Sequence, residues 1–256
     1  MDKKSLLFLA VPPPAAMEAA ASGCPLALMA YRVGQGFHLY RTPLPPCRAD
    51  ILYADCAGFS GRGPHNLLAA ELLAECRARG YSGILLDLDS AAPPIPAFCA
   101  LLREAAAEDG VTLYLPQEAA RDCPGAAALV TTAISAGTLE ARVRGAASAG
   151  PAAMLVESVR AEYTLPSAGN GRELSDAELR AILAQHGKSA RFSPELCENY
   201  LVCSRGGAER FILWDDGASL CEKLRLARRL GVPSAFAYYP RVRDFVPALL
   251  AAAQGD

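Results

Sequence analysis

The sequence predicts an α/β protein folded as a (β/α)8 TIM barrel, one domain over residues 1–256 with a small hairpin-containing insertion between the seventh and eighth strands. Three observations predict it. Short apolar runs alternate with helix-like segments stopped by glycine, the pattern of a mainly parallel sheet. The main runs number eight, and 256 residues matches the roughly 250 typical of such a barrel. Finally, residues 81–90 form a continuous apolar run ending in Asp87 and Asp89. A strand apolar on both faces reads as a buried parallel strand, and the carboxyl ends of such strands carry the chemistry of α/β folds. A doubly wound open sheet is the runner-up from the same pattern.

In order, residues 6–11 form the first strand, and Pro12, Pro13 and Pro14 turn it into a helix-like 15–21. The second strand, 26–33, returns through Gly34-Gln35-Gly36 into 37–41 as a hairpin, since glycine takes the positive φ such turns need. Strand three, 50–55, ends in Asp55, and a helix over 66–79 places Leu68, Leu72 and Cys76 on one face before Gly80 stops it. Strand four is 83–89, where side-chain alternation puts Leu85, Asp87 and Asp89 on one face. The helix begun by Pro94 and Pro96 ends at Gly110; strand five, 111–116, leads to Gln117. Strands six and seven, 128–134 and 152–157, flank a helix over 138–149, and Glu157 closes the seventh.

An irregular segment of about 163–216 follows. It holds a polar loop over 163–172, a capping box from Ser175 to Glu178 that opens a helix ending at Gly187, and a hairpin of 200–203 with 211–214. Asp216 caps an amphipathic helix with Leu220, Leu224, Ala227 and Leu230 inside and Lys223, Arg225, Arg228 and Arg229 toward its carboxyl end. Strand eight is 234–239, and 245–253 is the closing helix. In a barrel, Asp55, Asp87, Asp89, Gln117, Glu157 and Tyr238 then meet at one rim, a polar collection that packing does not require.

Composition narrows the function. The net charge is −2 and the basic residues are scattered, so no nucleic-acid or anionic-membrane partner is expected. No segment reaches the roughly 20 uninterrupted apolar residues of a membrane span, and the prolines at 12–14 break a signal-like start; a soluble cytoplasmic protein is expected. The nine cysteines include no Cys-x-x-Cys and the three histidines lie far apart, so we expect buried thiols, no metal site and no cofactor. Cys56, at a strand end, is the best nucleophile candidate among them, but no histidine is placed to activate it.

Two stretches carry a resemblance. Gly80-Tyr-Ser-Gly-Ile-Leu-Leu-Asp-Leu-Asp89 is similar to the fourth-strand signature of family 18 glycoside hydrolases, Gly-Tyr-Asp-Gly-(Val/Ile)-(Asn/Asp)-(Ile/Leu)-Asp-(Phe/Trp)-Glu. The segment from Phe211 through Trp214, Asp215, Asp216, Ser219-Leu220 and Lys223 to Gly231 and Tyr238 resembles the same family after its seventh-strand insertion. The resemblance extends to spore-associated peptidoglycan hydrolases and chitinase-like barrels. It implies a glycosidase acting on an amino-sugar glycan, with the substrate's own acetamide as nucleophile.

Carried over residue by residue, Asp87 matches the Asp that orients the acetamide, and Asp89 stands where the general acid is a Glu, one methylene longer. Catalysis is therefore expected from Asp89 and Asp87, with Asp55, Gln117, Glu157 and Tyr238 binding substrate. Ser82 and Leu85 replace two polar positions of the signature, no Met-x-Tyr-Asp occurs, and Tyr238 stands where the family has a tryptophan floor. These departures imply a divergent or impaired site. A catalytically inactive barrel that binds a saccharide or protein partner, and an unrelated barrel enzyme acting on a small metabolite, are the alternatives.

Overall fold

The computed structural model describes residues 7–34, 36–89, 94–166 and 171–255. Eight parallel strands close on themselves: β1 (Leu7–Val11), β2 (Leu26–Val33), β4 (Ile51–Asp55), β5 (Gly83–Asp87), β6 (Thr112–Pro116), β7 (Ala127–Thr131), β8 (Ala152–Val156) and β14 (Ala235–Tyr238). β1 pairs with both β14 and β2, so this barrel has no open edge. The short β3 (Leu39–Arg41) adds antiparallel to β2, the hairpin expected from Gly34-Gln35-Gly36, of which Gln35 lies outside the described residues.

Helices cover the barrel: α1 (Ala16–Ala20), α2 (His65–Arg79), α3 (Pro94–Glu108), α4 (Gln117–Arg121), α5 (Leu139–Ala149), α7 (Gly217–Arg229), α8 (Tyr239–Val242) and α9 (Val246–Gln254). Local sequence explains their ends. Gly80 sits at φ 72° and its N–H bonds the Cys76 carbonyl, a conformation that would strain any residue with a Cβ. Thr138 accepts from the Ala141 N–H to start α5, and Asp216 accepts from the Ser219 N–H to start α7. Among the described residues, no helix is long and apolar enough to cross a membrane.

Alternation along the strands divides the core in two. Ala27, Ile51, Leu85, Tyr114, Leu129 and Phe236 point into the barrel, while the opposite faces pack against helices through Leu7, Leu52, Leu86 and Leu113. Low in the barrel, Phe8 stacks on Phe236 at 5.2 Å, and Tyr114 meets the Phe236 ring edge-on at 4.9 Å. The Tyr114 hydroxyl is satisfied by Ser234 at 3.2 Å. The eight described thiols other than Cys47 are buried, and all nine are free.

Between β8 and β14 the chain builds a second sheet of five strands rather than one hairpin. β9 (Arg160–Thr164), β10 (Arg172–Glu173), β11 (Arg191–Ser193), β12 (Glu198–Arg205) and β13 (Ala208–Trp214) run in the order β10-β9-β13-β12-β11. α6 (Asp176–His186), opened by the Ser175–Glu178 capping box, packs on this sheet through Leu179 and Ile182 against Leu201, Ile212 and Trp214. The segment expected to be a loop over 163–172 is thus partly strand. Tyr163 and Thr164 pair with β13 and Arg172 pairs with Glu162 of β9, whereas 167–170 lie outside the described residues.

Three further differences bear on function. β5 ends at Asp87, so Asp89 lies beyond the strand on an exposed bend rather than beside Asp87 on one strand face. Gln117 opens the short helix α4 instead of closing a strand into a loop. Lys223 does not join the exposed cations at the end of α7; it is wholly buried between the barrel and the insertion.

Candidate active site

A cleft of about 570 Å3 opens at the carboxyl ends of the barrel strands. That lies within the roughly 300–1,000 Å3 usual for ligand sites. Its floor is apolar, from Met29, Leu85, Leu129, Leu155 and Phe236, the inward residues of five strands. Above that floor the strand ends turn polar, and Asp87, Gln117, Thr131, Glu157 and Tyr238 line the cleft.

Asp87 is the last residue of β5 and follows Leu85 on the inward face. Its Oδ2 accepts a hydrogen bond of 2.8 Å from the hydroxyl of Tyr53, which projects from β4 into the same cleft. Burial, reinforced by the Asp87 charge, raises the Tyr53 pKa far above its ordinary value. The phenol therefore stays protonated and the bond has one sense, tyrosine donating and carboxylate accepting.

Glu157 follows β8 and supplies the cleft's second inward carboxylate. Thr131, at the end of β7, donates its hydroxyl to Glu157 Oε2, while the Glu157 N–H donates to Thr132 Oγ1 at 3.0 Å. The Glu157 carbonyl accepts from Lys223 Nζ at 3.2 Å. That ammonium also bonds Asp215 at 2.6 Å and Glu198 at 3.0 Å. Asp215 is held in turn by the Ser219 hydroxyl and the Val159 N–H. Burial pushes the Glu198 carboxyl up to about 7, against the pull of Lys223, and raises Asp215 as well.

Tyr238 ends β14 and is 41% exposed, a ring presented at the mouth of the cleft. Gln117 reaches the cleft from the start of α4. At the rim Arg241 of α8 bonds Glu173 of the insertion at 2.5 Å, and Arg142 of α5 completes the wall. The structure thus brings Asp87, Gln117, Glu157 and Tyr238 together.

Asp55 and Asp89 are not among the residues lining this cleft. Asp55 accepts from the Ala57 N–H at 2.8 Å, closing its own turn, and lies 3.8 Å from exposed Arg32. Cys56, beside them, is buried, and desolvation together with the neighbouring acids holds it as a thiol. Among the described residues no group of three His, Cys, Asp or Glu side chains is arranged to hold a metal ion.

Sequence reasoning missed Tyr53, Thr131, Arg142, Glu173 and Arg241. A signal existed for Tyr53, which precedes Asp55 by two and so shares its inward face. The others depend on how the insertion and the outer helices fold over the rim.

A closed parallel barrel of eight strands with helices between them defines a fold class, and solved structures share it. The chitinase from Chromobacterium violaceum is similar over 97% of this chain and 99% of its own, with a TM-score of 0.72 and 14% identity. The spore cortex-lytic enzyme SleL of Bacillus megaterium is similar over 95% of this chain and 73% of its own, with a TM-score of 0.65 and 11% identity. A family 18 N-acetylglucosaminidase from Paenibacillus barengoltzii gives 0.65 at 13% identity over 97% and 99%. No family model and no curated protein matches the sequence. The chain has a TIM barrel like that of family 18 glycoside hydrolases, as the two sequence stretches implied.

Proposed function

We propose that this barrel takes an N-acetylated amino-sugar glycan, such as a chitin oligomer or a peptidoglycan strand, into its rim cleft, and that hydrolysis there is impaired. The observation that carries this reading is Asp87, held inside the cleft by Tyr53 while the acid position two residues later falls outside it. Asp87 orients the acetamide by accepting from its N–H. Gln117 and Glu157 meet sugar hydroxyls, and Tyr238 offers a ring for stacking against a pyranose face.

Asp89 is one methylene shorter than the family's acid and sits on a bend past the strand. A misplacement of about 1 Å costs on the order of a hundredfold in rate. The same observation favours a second reading, a barrel that binds the glycan and does not cleave it.

Calorimetry with N-acetylglucosamine oligomers tests binding, and product analysis on chitin oligomers and peptidoglycan fragments tests turnover. Binding that Asp87→Asn weakens, with little turnover and no further change in Asp89→Asn, is the expected result. Rapid cleavage abolished by Asp89→Asn would show the acid to be competent and overturn the impaired site. Failure to bind any amino sugar would overturn the function.

A further inference from the structure

We propose that Tyr53 is the positioning residue for Asp87, doing from the neighbouring strand what no inward side chain of β5 does. This rests on the glycan reading above. Along β5 the inward positions are Gly83, Leu85 and Asp87, so neither same-face neighbour below the carboxylate carries a polar atom. A carboxylate at the end of such a strand would pivot about its own χ angles.

The strand register shows how Tyr53 prevents this. Tyr53 lies opposite Leu85, and Asp55 lies opposite Asp87. Asp55 is the cross-strand neighbour but is turned to its own loop through the Ala57 N–H. Tyr53 sits one pleat lower, and its long side chain spans the step to reach Oδ2 at 2.8 Å. Its ring meanwhile packs with the apolar side chains inside the barrel, which fixes the hydroxyl from below.

The bond also fixes the orientation of Asp87. A phenol that remains protonated donates to a carboxylate oxygen, so Oδ2 is held as an acceptor. With Oδ2 anchored, the carboxylate plane is set, and the amide N–H of an N-acetyl group meets an oriented acceptor. A deacetylated sugar has no such amide, so Tyr53 acts on the discrimination between the two.

The test is calorimetric titration with the N-acetylglucosamine tetramer and with its fully deacetylated counterpart. The wild type, Tyr53→Phe, Asp87→Asn and the double variant are titrated, with thermal midpoints measured for each. Tyr53→Phe keeps the ring and removes only the hydroxyl. Hydrogen bonds to charged groups are among the stronger ones, so Tyr53→Phe should weaken the acetylated tetramer by about tenfold or more while leaving the deacetylated one unchanged. The double variant should bind no more weakly than Asp87→Asn alone, since the tyrosine acts through that carboxylate.

Equal weakening of both tetramers, or additive losses in the double variant, would show a merely structural role and overturn the proposal. Tyr53→Phe binding like wild type while Asp87→Asn fails would overturn Tyr53 and leave the cleft's function standing. No binding by the wild type would remove the underlying function itself, and the proposal with it.

Discussion

Glu198 shows what one buried residue does to the whole stability curve. Its carboxyl is raised to about 7 by burial, although Lys223 lies 3.0 Å away, because that ammonium is shared with Asp215 at 2.6 Å. Oε2 has no hydrogen-bond partner among the described residues, so the proton costs the native state no hydrogen bond there. In the unfolded chain this carboxyl titrates near 4.3. Between that value and about 7 the native state binds the extra proton, so stability falls as pH rises through this window. Urea unfolding at pH 5, 6, 7 and 8 should show that decline, on the order of 3 kcal/mol at about 1.4 kcal/mol for each tenfold in proton affinity. Glu198→Gln should flatten much of it, with Asp215 contributing a residual slope of the same sign. A curve equally steep in the variant would assign the decline to other groups.

At the scale of single elements, β5 depends on having no side chain at Gly83. A Cβ there would stand 2.7 Å from Ile51 Cδ1, 2.9 Å from Tyr114 Cε2 and 3.1 Å from the Thr112 carbonyl oxygen. At an open strand position alanine is favoured over glycine by roughly 0.5–1 kcal/mol. Here the sign should reverse, and Gly83→Ala should lose about 1–3 kcal/mol in denaturant unfolding, because the Tyr114 ring and a backbone oxygen must give way. A gain in stability would mean that the barrel relaxes at this layer.

Elements were legible in the sequence where their cause is local. Gly80 ends α2, Ser175 with Glu178 opens α6, and the strand runs alternate as a barrel requires. β9 and β10 escaped because they are polar and short, and their satisfaction is long-range: Arg172 reaches Glu162 at 2.8 Å across the pair. α4 escaped for the opposite reason, since its five residues are too few to show a helical period. At the cleft, strand-end parity puts Asp87, Glu157 and Tyr238 on the inward side, whereas Gln117, out of phase with inward Tyr114, reaches the cleft from the start of α4. Parity was not enough for Asp89, because it assumes that the strand continues, and β5 stops at Asp87.

Over the whole molecule, Lys223 ties the inserted sheet to the barrel. It leaves α7, reaches Asp215 and Glu198 at the ends of two insertion strands, and caps the carbonyl of Glu157 at the end of β8. Removing one partner of a buried ion pair leaves charge without compensation and typically costs about 3–5 kcal/mol. Lys223→Met should therefore lower the urea midpoint by an amount of that order and raise amide hydrogen exchange in both β12 and the residues around Glu157. Exchange confined to the insertion would show that the two units are not coupled through this ammonium. The amphipathic pattern of α7 pointed to its packed leucines but not to this role, since a lysine among arginines reads as one more surface cation until its three oxygens are in place.

The rings of Phe8, Tyr114 and Phe236 close the barrel beneath the cleft. The site is consequently a cul-de-sac: whatever enters must leave by the same mouth. A polymer cannot be threaded through the barrel along its axis. A glycan of the kind proposed would lie across the rim with a few sugars dipping inward, so an internal stretch of chain would be as accessible as a terminus.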